Sequence, residues 1–145
     1  MPSLSDIPIL PGLPATAAGM TGNLVPIMSE IRQALADYLA TGKPKTIDLL
    51  SMPFAPGDEA ALLQALGGGE VSAELQALGP SRIWETRYSG VWLVDHSNEA
   101  GERLALQVEI TDVPELLRSQ PEDMHSALGA LDGHLESLSN TEEQA

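Results

Sequence analysis

Three histidines, 21 carboxylates and one triple glycine are the residues from which this 145-residue chain could build a reactive centre. None is spaced as a metal or nucleotide site requires. His125 and His134 lie nine residues apart, half a turn out of phase on a helix, so they face opposite ways. His96 follows Asp95 at the end of a predicted strand, where adjacent side chains point to opposite faces. No His-Glu-x-x-His and no Gly-x-Ser-x-Gly occurs. Gly67-Gly68-Gly69 follows a helix and precedes a strand, the reverse of a phosphate loop, and no Lys-Ser/Thr follows it. Gly42-Lys43-Pro44 lacks the earlier glycine of such a loop. Both read as helix stops. The absence of cysteine removes thiol nucleophiles, disulfides, zinc ribbons and thiolate-held iron–sulfur clusters together. Glu85 and Glu109 each sit mid-strand among apolar neighbours, where partial burial would shift them. The plainer reading turns each to solvent or pairs it with Arg82, Arg87 or Arg103. With these elements missing, the expectation is no enzyme, no catalytic residue, no cofactor and no metal.

The aromatic residues are more informative. Three of the five, Trp84, Tyr88 and Trp92, fall within nine residues. Arg82–Tyr88 and Val91–His96 read as strands joined by Ser89-Gly90, a plausible two-residue hairpin loop. That pairing sets Tyr88 opposite Val91, Arg87 opposite Trp92, Glu85 opposite Val94 and Trp84 opposite Asp95. Trp84, Thr86, Tyr88, Val91 and Leu93 then share one face. Ile83, Glu85, Arg87, Trp92, Val94 and His96 share the other. Interfaces favour Trp, Tyr and Arg, so Glu85, Arg87, Trp92, Trp84 and Tyr88 are the candidate partner-binding residues. The competing reading makes Trp92 a core plug.

Composition bounds what such a surface can meet. Hydrophobic residues make up 43% of the chain and aromatics only 3%, so the core must be aliphatic. The net charge of −14 lacks the basic stripe of a nucleic-acid binder and opposes docking on anionic lipid. No apolar run reaches the ~18 residues of a membrane span. No basic stretch precedes an apolar one near the N-terminus and no Arg-Arg pair occurs there, so a cytoplasmic location is expected.

The elements that must position the hairpin follow from periodicity. Residues 1–22 carry four prolines and three glycines without a period, and read as a flexible arm. Ile7-Pro8-Ile9-Leu10 in it is a possible partner-binding strand. Leu24, Ile27, Met28, Ile31, Leu35, Tyr38 and Leu39 fall on one helical face, with Asn23 as cap and Gly42 as stop. Thr46–Leu50 is a short strand, and Asp58 caps a helix that carries Leu62, Leu63 and Leu66. Period-two runs over 70–77 and 104–110 add two strands to the hairpin. Pro114 starts a helical turn, and Pro121 starts a last helix with Met124, Leu128, Leu131 and Leu135 on one face. The expected fold is α+β, in the order α-β-α-β-β-β-β-α. An antiparallel sheet of four to five strands should carry its helices mainly on one face. A single domain should span 23–137, and 138–145 should be a frayed acidic tail.

Glu70-Val71-Ser72-Ala73, Ile83-Trp84-Glu85-Thr86 and Gly90-Val91-Trp92-Leu93-Val94-Asp95-His96 together resemble the HupH/HyaF/HoxQ hydrogenase expression/formation family. Ile47-Asp48-Leu49, Leu78-Gly79, Leu104–Glu109, Val113-Pro114-Glu115-Leu116-Leu117 and Gln120-Pro121-Glu122-Asp123 continue the match. It runs from about Ile27 to about Leu135. The resemblance implies a chaperone-like maturation factor for a nickel–iron hydrogenase. Its expected partners are the small-subunit precursor before export and other maturation proteins. The better-known members are longer, and this chain matches their conserved C-terminal module. Without cysteine the chain cannot be a thiolate-ligated cluster scaffold, whereas a chaperone holding a polypeptide needs none. The −14 charge suits a basic partner, such as a precursor with an arginine-bearing signal peptide. The alternative is a non-catalytic small-ligand or regulatory binding module.

The dispersed histidines and missing cysteines generate a first prediction. Elemental analysis of protein purified without a histidine tag should find no iron, nickel or zinc in stoichiometric amount. One tightly held metal ion per chain would defeat it.

Overall fold

The computed structural model describes residues 22–76 and 79–144 of the chain. The expected arm up to Thr21, its Ile7–Leu10 segment, and Ala77 and Leu78 lie outside the described residues. The chain divides into two compact units, one ending at Asp112 and one spanning Val113–Ala145.

The first unit begins with α1, Leu24–Thr41. Ile27, Ile31 and Ala34 recur at helical spacing and are buried. Leu39, expected on the same face, is 79% exposed, because the face is narrower than the full run of apolar residues. Asn23 does not cap α1 with its side chain. Its amide reaches across instead and donates to the Pro53 carbonyl at 3.1 Å. Gly42 ends the helix in the left-handed region, φ 74°, and its N–H reaches Tyr38 O at 2.7 Å.

Strand β1 is Lys45–Asp48, and helix α2 is Pro56–Leu66. Proline at the first turn loses no bond there, since that N–H has no helical partner. Asp58 is not the cap itself. It lies three residues inside and accepts the Ala55 backbone N–H at 3.2 Å, with no exposure. The physical reason is Pro56-Gly57, which moves the helix start three residues upstream. Leu62 and Leu66 are buried and Leu63 is partly so, as their spacing predicts.

Four strands follow: β2 Ser72–Leu75, β3 Ser81–Glu85, β4 Val91–Ser97 and β5 Arg103–Ile110. The sheet is antiparallel throughout, in the order β1-β5-β4-β3-β2. One face carries Ile47, Ile110, Val108, Leu106, Val91 and Leu93, which form one cluster with the buried residues of α1 and α2. This is the expected α+β architecture with helices on one face. On the opposite face Ile83, Trp92 and Val94 are buried as well, outside that cluster. Arg103 on β5 donates to Glu59 of α2 at 2.6 Å and twice to Asp95 of β4 at 3.2 Å. Those two carboxylates hold its guanidinium above its ordinary pKa, with Glu59 the larger cause.

The second unit holds a 3-10 turn, Glu115–Leu117, and helix α3, Pro121–Gln144. The helix continues to Gln144, beyond the fraying point expected near Ser137.

The turn before β3 requires glycine. Gly79 has φ 112°, and a Cβ there would run into the Ser97 carbonyl oxygen and lie 2.8 Å from the Asn98 carbonyl carbon. Backbone is in the way, so no side-chain rotation relieves it. Gly79→Ala should lower stability by about 1–3 kcal/mol, the usual cost of a strained backbone position, while Gly22→Ala, with open space around it, should cost less. Chemical denaturation of both variants checks the order, and equal midpoints would contradict it.

Candidate functional site

The strand register corrects the hairpin geometry expected from sequence. Glu85 pairs with Trp92, Trp84 with Leu93 and Ile83 with Val94. The ladder is therefore shifted by two residues from one that turns at Ser89-Gly90. A two-residue slip preserves which side chains share a face, so the face assignment of the strand residues holds. It lengthens the loop, however, to Arg87-Tyr88-Ser89-Gly90 between Thr86 and Val91. Arg87 and Tyr88 consequently leave the sheet.

Thr86 holds this loop shut from inside. It is 1% exposed. Its hydroxyl donates to Val91 O at 2.8 Å and accepts the Tyr88 N–H at 3.1 Å. Thr86 N also donates to Val91 O at 3.0 Å, and Val91 N to Tyr88 O at 3.0 Å. These bonds satisfy the loop's inner polar groups and present Tyr88, which is 44% exposed.

Arg87 does not stack on Trp92. Its backbone N–H donates to Leu66 O at 2.8 Å and its Nη2 to Gln64 O at 3.4 Å. The guanidinium thus sits at the C-terminal end of α2, where the helix dipole favours a cation. The stacked pair is formed instead by Arg82 over Trp84, 4.8 Å from cation to ring centroid. Arginine two residues away on the same strand face reaches the ring, whereas one displaced into a loop does not.

Trp92 is 5% exposed, and its indole N–H donates to Thr111 O at 3.2 Å. It fills the position of a core plug. Its cross-strand neighbours on that face are Glu85 and Glu109, both half-buried. His96 bonds to the Ser81 hydroxyl across the β3–β4 ladder. Among the described residues no group of three or more His, Cys, Asp or Glu could hold a metal ion.

What the sequence reading missed is a cleft between α1 and the hairpin loop. Met28, Ile31, Arg32, Leu35, Tyr88 and Val91 line about 220 Å³ of it. The α1 residues project there because Met28, Ile31, Arg32 and Leu35 lie three, four and seven apart on one helical flank. The signal was present as the apolar width of α1, which exceeds what one contact with a sheet consumes. Gly90, at φ 86°, lets the loop approach α1 closely: a Cβ would lie 3.3 Å from the Leu35 methyl. The lining is apolar with one phenol and one guanidinium at its edges. It can take an apolar side chain and hold a polar group beside it.

An open antiparallel sheet with α1 and α2 on one face and an apolar side cleft define the first unit as an α+β domain. The chain belongs to the HupH hydrogenase expression protein family: its residues 21–138 match the C-terminal conserved region of that family. It is similar to a hydrogenase expression/formation protein HoxQ of Azotobacter vinelandii, at 28% identity over 70% of this chain and 37% of that protein. The HoxQ protein of Cupriavidus necator is 31% identical over 72% of this chain and 37% of its own. The solved structure of the hydrogenase expression protein HupH from Thiobacillus denitrificans superposes with a TM-score of 0.79 at 39% identity. It covers 81% of this chain and 98% of that one. The chain spans about two-fifths of the length of the curated relatives it matches. Those relatives carry names for an accessory role in hydrogenase expression and formation, and that role is the family's.

Burial makes the Trp92 prediction one of stability. Trp92→Ala should cost about 3–5 kcal/mol, the usual range for removing a buried indole. Trp84→Ala should cost less, since its ring is half exposed. Equilibrium unfolding of the two variants would refute this if Trp92→Ala melted with the parent chain.

Proposed function

We propose that the chain is a chaperone-like maturation factor that binds the small-subunit precursor of a nickel–iron hydrogenase in the cytoplasm, before export and without catalysis. The observation that carries this reading is the cleft between α1 and the hairpin loop, joined to the family membership. A half-open apolar cleft suits an extended or helical segment of an incompletely folded polypeptide. The net charge of −14 suits a cationic one and would speed its encounter. Tyr88 is the central contact in this proposal, with Met28 and Leu35 as its apolar floor and Arg32 at the rim. Trp84, partly buried against the core with Arg82 stacked on it, is a second aromatic candidate. Glu85, Arg87 and Trp92 support the hairpin from beneath and at its end rather than touching the client.

The test is a binding titration of purified chain against the small-subunit precursor and against its signal segment alone. Tyr88→Ala should weaken binding about 10- to 100-fold, the usual consequence of truncating a central interface aromatic. Thermal stability should change little, because Tyr88 lies outside the buried cluster. Raising salt from low to physiological strength should slow association. Unaltered affinity of a folded Tyr88→Ala, Met28→Ser double variant would overturn the cleft assignment. No affinity of the parent chain for any hydrogenase precursor would overturn the function.

A further inference from the structure

Helix α3 carries Met124, Leu128, Leu131, Leu135 and Leu138, each between 48% and 59% exposed, and none of its residues is buried. Their spacing alternates four and three without interruption, the a/d seam of a left-handed coiled coil rather than the broader stripe of a helix lying on a core. From this seam we propose that α3 is a dimerisation helix, and that its occupant is α3 of a second copy of this chain, parallel and in register. The proposal is independent of the client assigned above.

The placement of charge selects that occupant. The helix bears six acids and no lysine or arginine. A seam built for a basic helix would hold those acids at the positions flanking a and d. Here the flanking positions are His125, Ala127, Asp132, His134, Ser139 and Thr141, with one acid among them. Glu122, Asp123, Glu136 and Glu143 lie on the far side, and Glu142 falls at the seam position that follows Leu138. In a parallel pair Ala127 meets Asp132 of the other copy and His134 meets Ser139, so no two acids face each other at those flanking positions, and Glu142 meets its own copy only in the last turn of the helix. An antiparallel pair centred on Leu131 would set Asp132 beside its own copy. Charge therefore permits a second copy and favours the parallel one, whose like-charged pair at Glu142 lies at the solvated helix end rather than mid-seam.

Helix propensity adds a second reason. Gly129 and Gly133 sit within α3 on its outer side, and the helix also holds three serines, an asparagine and a threonine. Such a helix gains little from its own backbone and needs a packed face to persist. The five seam residues offer roughly 100 Å² each at the usual area of an apolar side chain. A pair of helices would thus bury about 1,000 Å², the size at which an interface becomes specific.

Sedimentation equilibrium of the full chain at up to about 100 μM, a range that detects micromolar affinity, should give twice the 15.3 kDa chain mass. Leu128→Asp with Leu135→Asp should return the single-chain mass. Both tryptophans lie on β3 and β4, so their unchanged emission would certify that the sheet is folded in that variant. The chain has no cysteine, which permits a test that leaves the seam's bulk intact. Met124→Cys alone and Leu138→Cys alone should each oxidise to a covalent dimer, and the outward Ser126→Cys should not. A single-chain mass for the parent would overturn the proposal, as would a dimer that survives both aspartates. Crosslinking only in a mixture of the Met124→Cys and Leu138→Cys chains would overturn the parallel arrangement.

Discussion

Backbone hydrogen bonds between the end of α2 and the β3–β4 hairpin set the position of everything at the candidate site. Arg87 N–H reaches Leu66 O at 2.8 Å and Gly69 N–H reaches Glu85 O at 2.7 Å. The close approach depends on the glycine run. A Cβ on Gly69 would come within 2.7 Å of Thr86 O, and one on Gly67 within 2.8 Å of the Arg87 guanidinium. Tied there, the loop cannot close as a two-residue turn at Ser89-Gly90. It must run longer, and Thr86 must turn inward to satisfy its polar groups. The outward swing of Tyr88 over α1 follows from the same tether. The triple glycine that resembled a failed phosphate loop is thus a docking point for the chain's own hairpin.

The same constraint divides the aromatic cluster by role. Trp92 and Trp84 occupy opposite faces of the sheet because they pair with Glu85 and Leu93 in one ladder. Trp92 finds a hydrogen-bond acceptor in Thr111 O and is buried. That satisfies the indole N–H, which buried tryptophan requires. Trp84 is half-exposed and covered on one side by Arg82. Tyr88, in the loop, keeps its exposure. A cluster that is contiguous in sequence therefore divides into one buried residue, one partly buried residue and one surface residue.

Much of this architecture was legible in the sequence. The period-two runs located the strands, and Gly42 and Gly67 marked real helix ends. The face assignment within the hairpin was also legible, because parity survives a two-residue slip. The register itself was not. It is decided by Leu66 and Gly69, which belong to another element, and no local pattern encodes that contact. The start of α2 was missed by three residues because two signals competed, Asp58 against Pro56, whereas α1 and α3 begin where the sequence places them. The cleft was only half legible, through the apolar width of α1, for a third reason. Its second wall is a loop distant in sequence, so α1 alone does not show what it faces.

The distribution of cations decides how the acidic charge acts. There are seven lysines and arginines. Arg103 lies between Glu59 and Asp95, Lys45 beside Glu30 and Arg118 beside Glu115. Arg87 sits at the end of α2 and Arg82 on Trp84. Five of the seven are thus spent within the fold on neutralising or stacking contacts. Of the remaining two, Lys43 follows the end of α1 and Arg32 stands at the cleft. The excess carboxylates consequently dominate the field beyond the surface. That field decays over about 8 Å at physiological salt, so it can raise encounter rates without fixing where a partner lands. Landing must then be set by shape and apolar area, and in the first unit the cleft beneath Tyr88 supplies both. A cationic segment would be drawn by the whole surface and stopped at one place. There Arg32 would repel a cation seated too deeply while leaving an apolar side chain free to enter, which favours a segment whose charges flank its apolar residues over one in which they are interleaved.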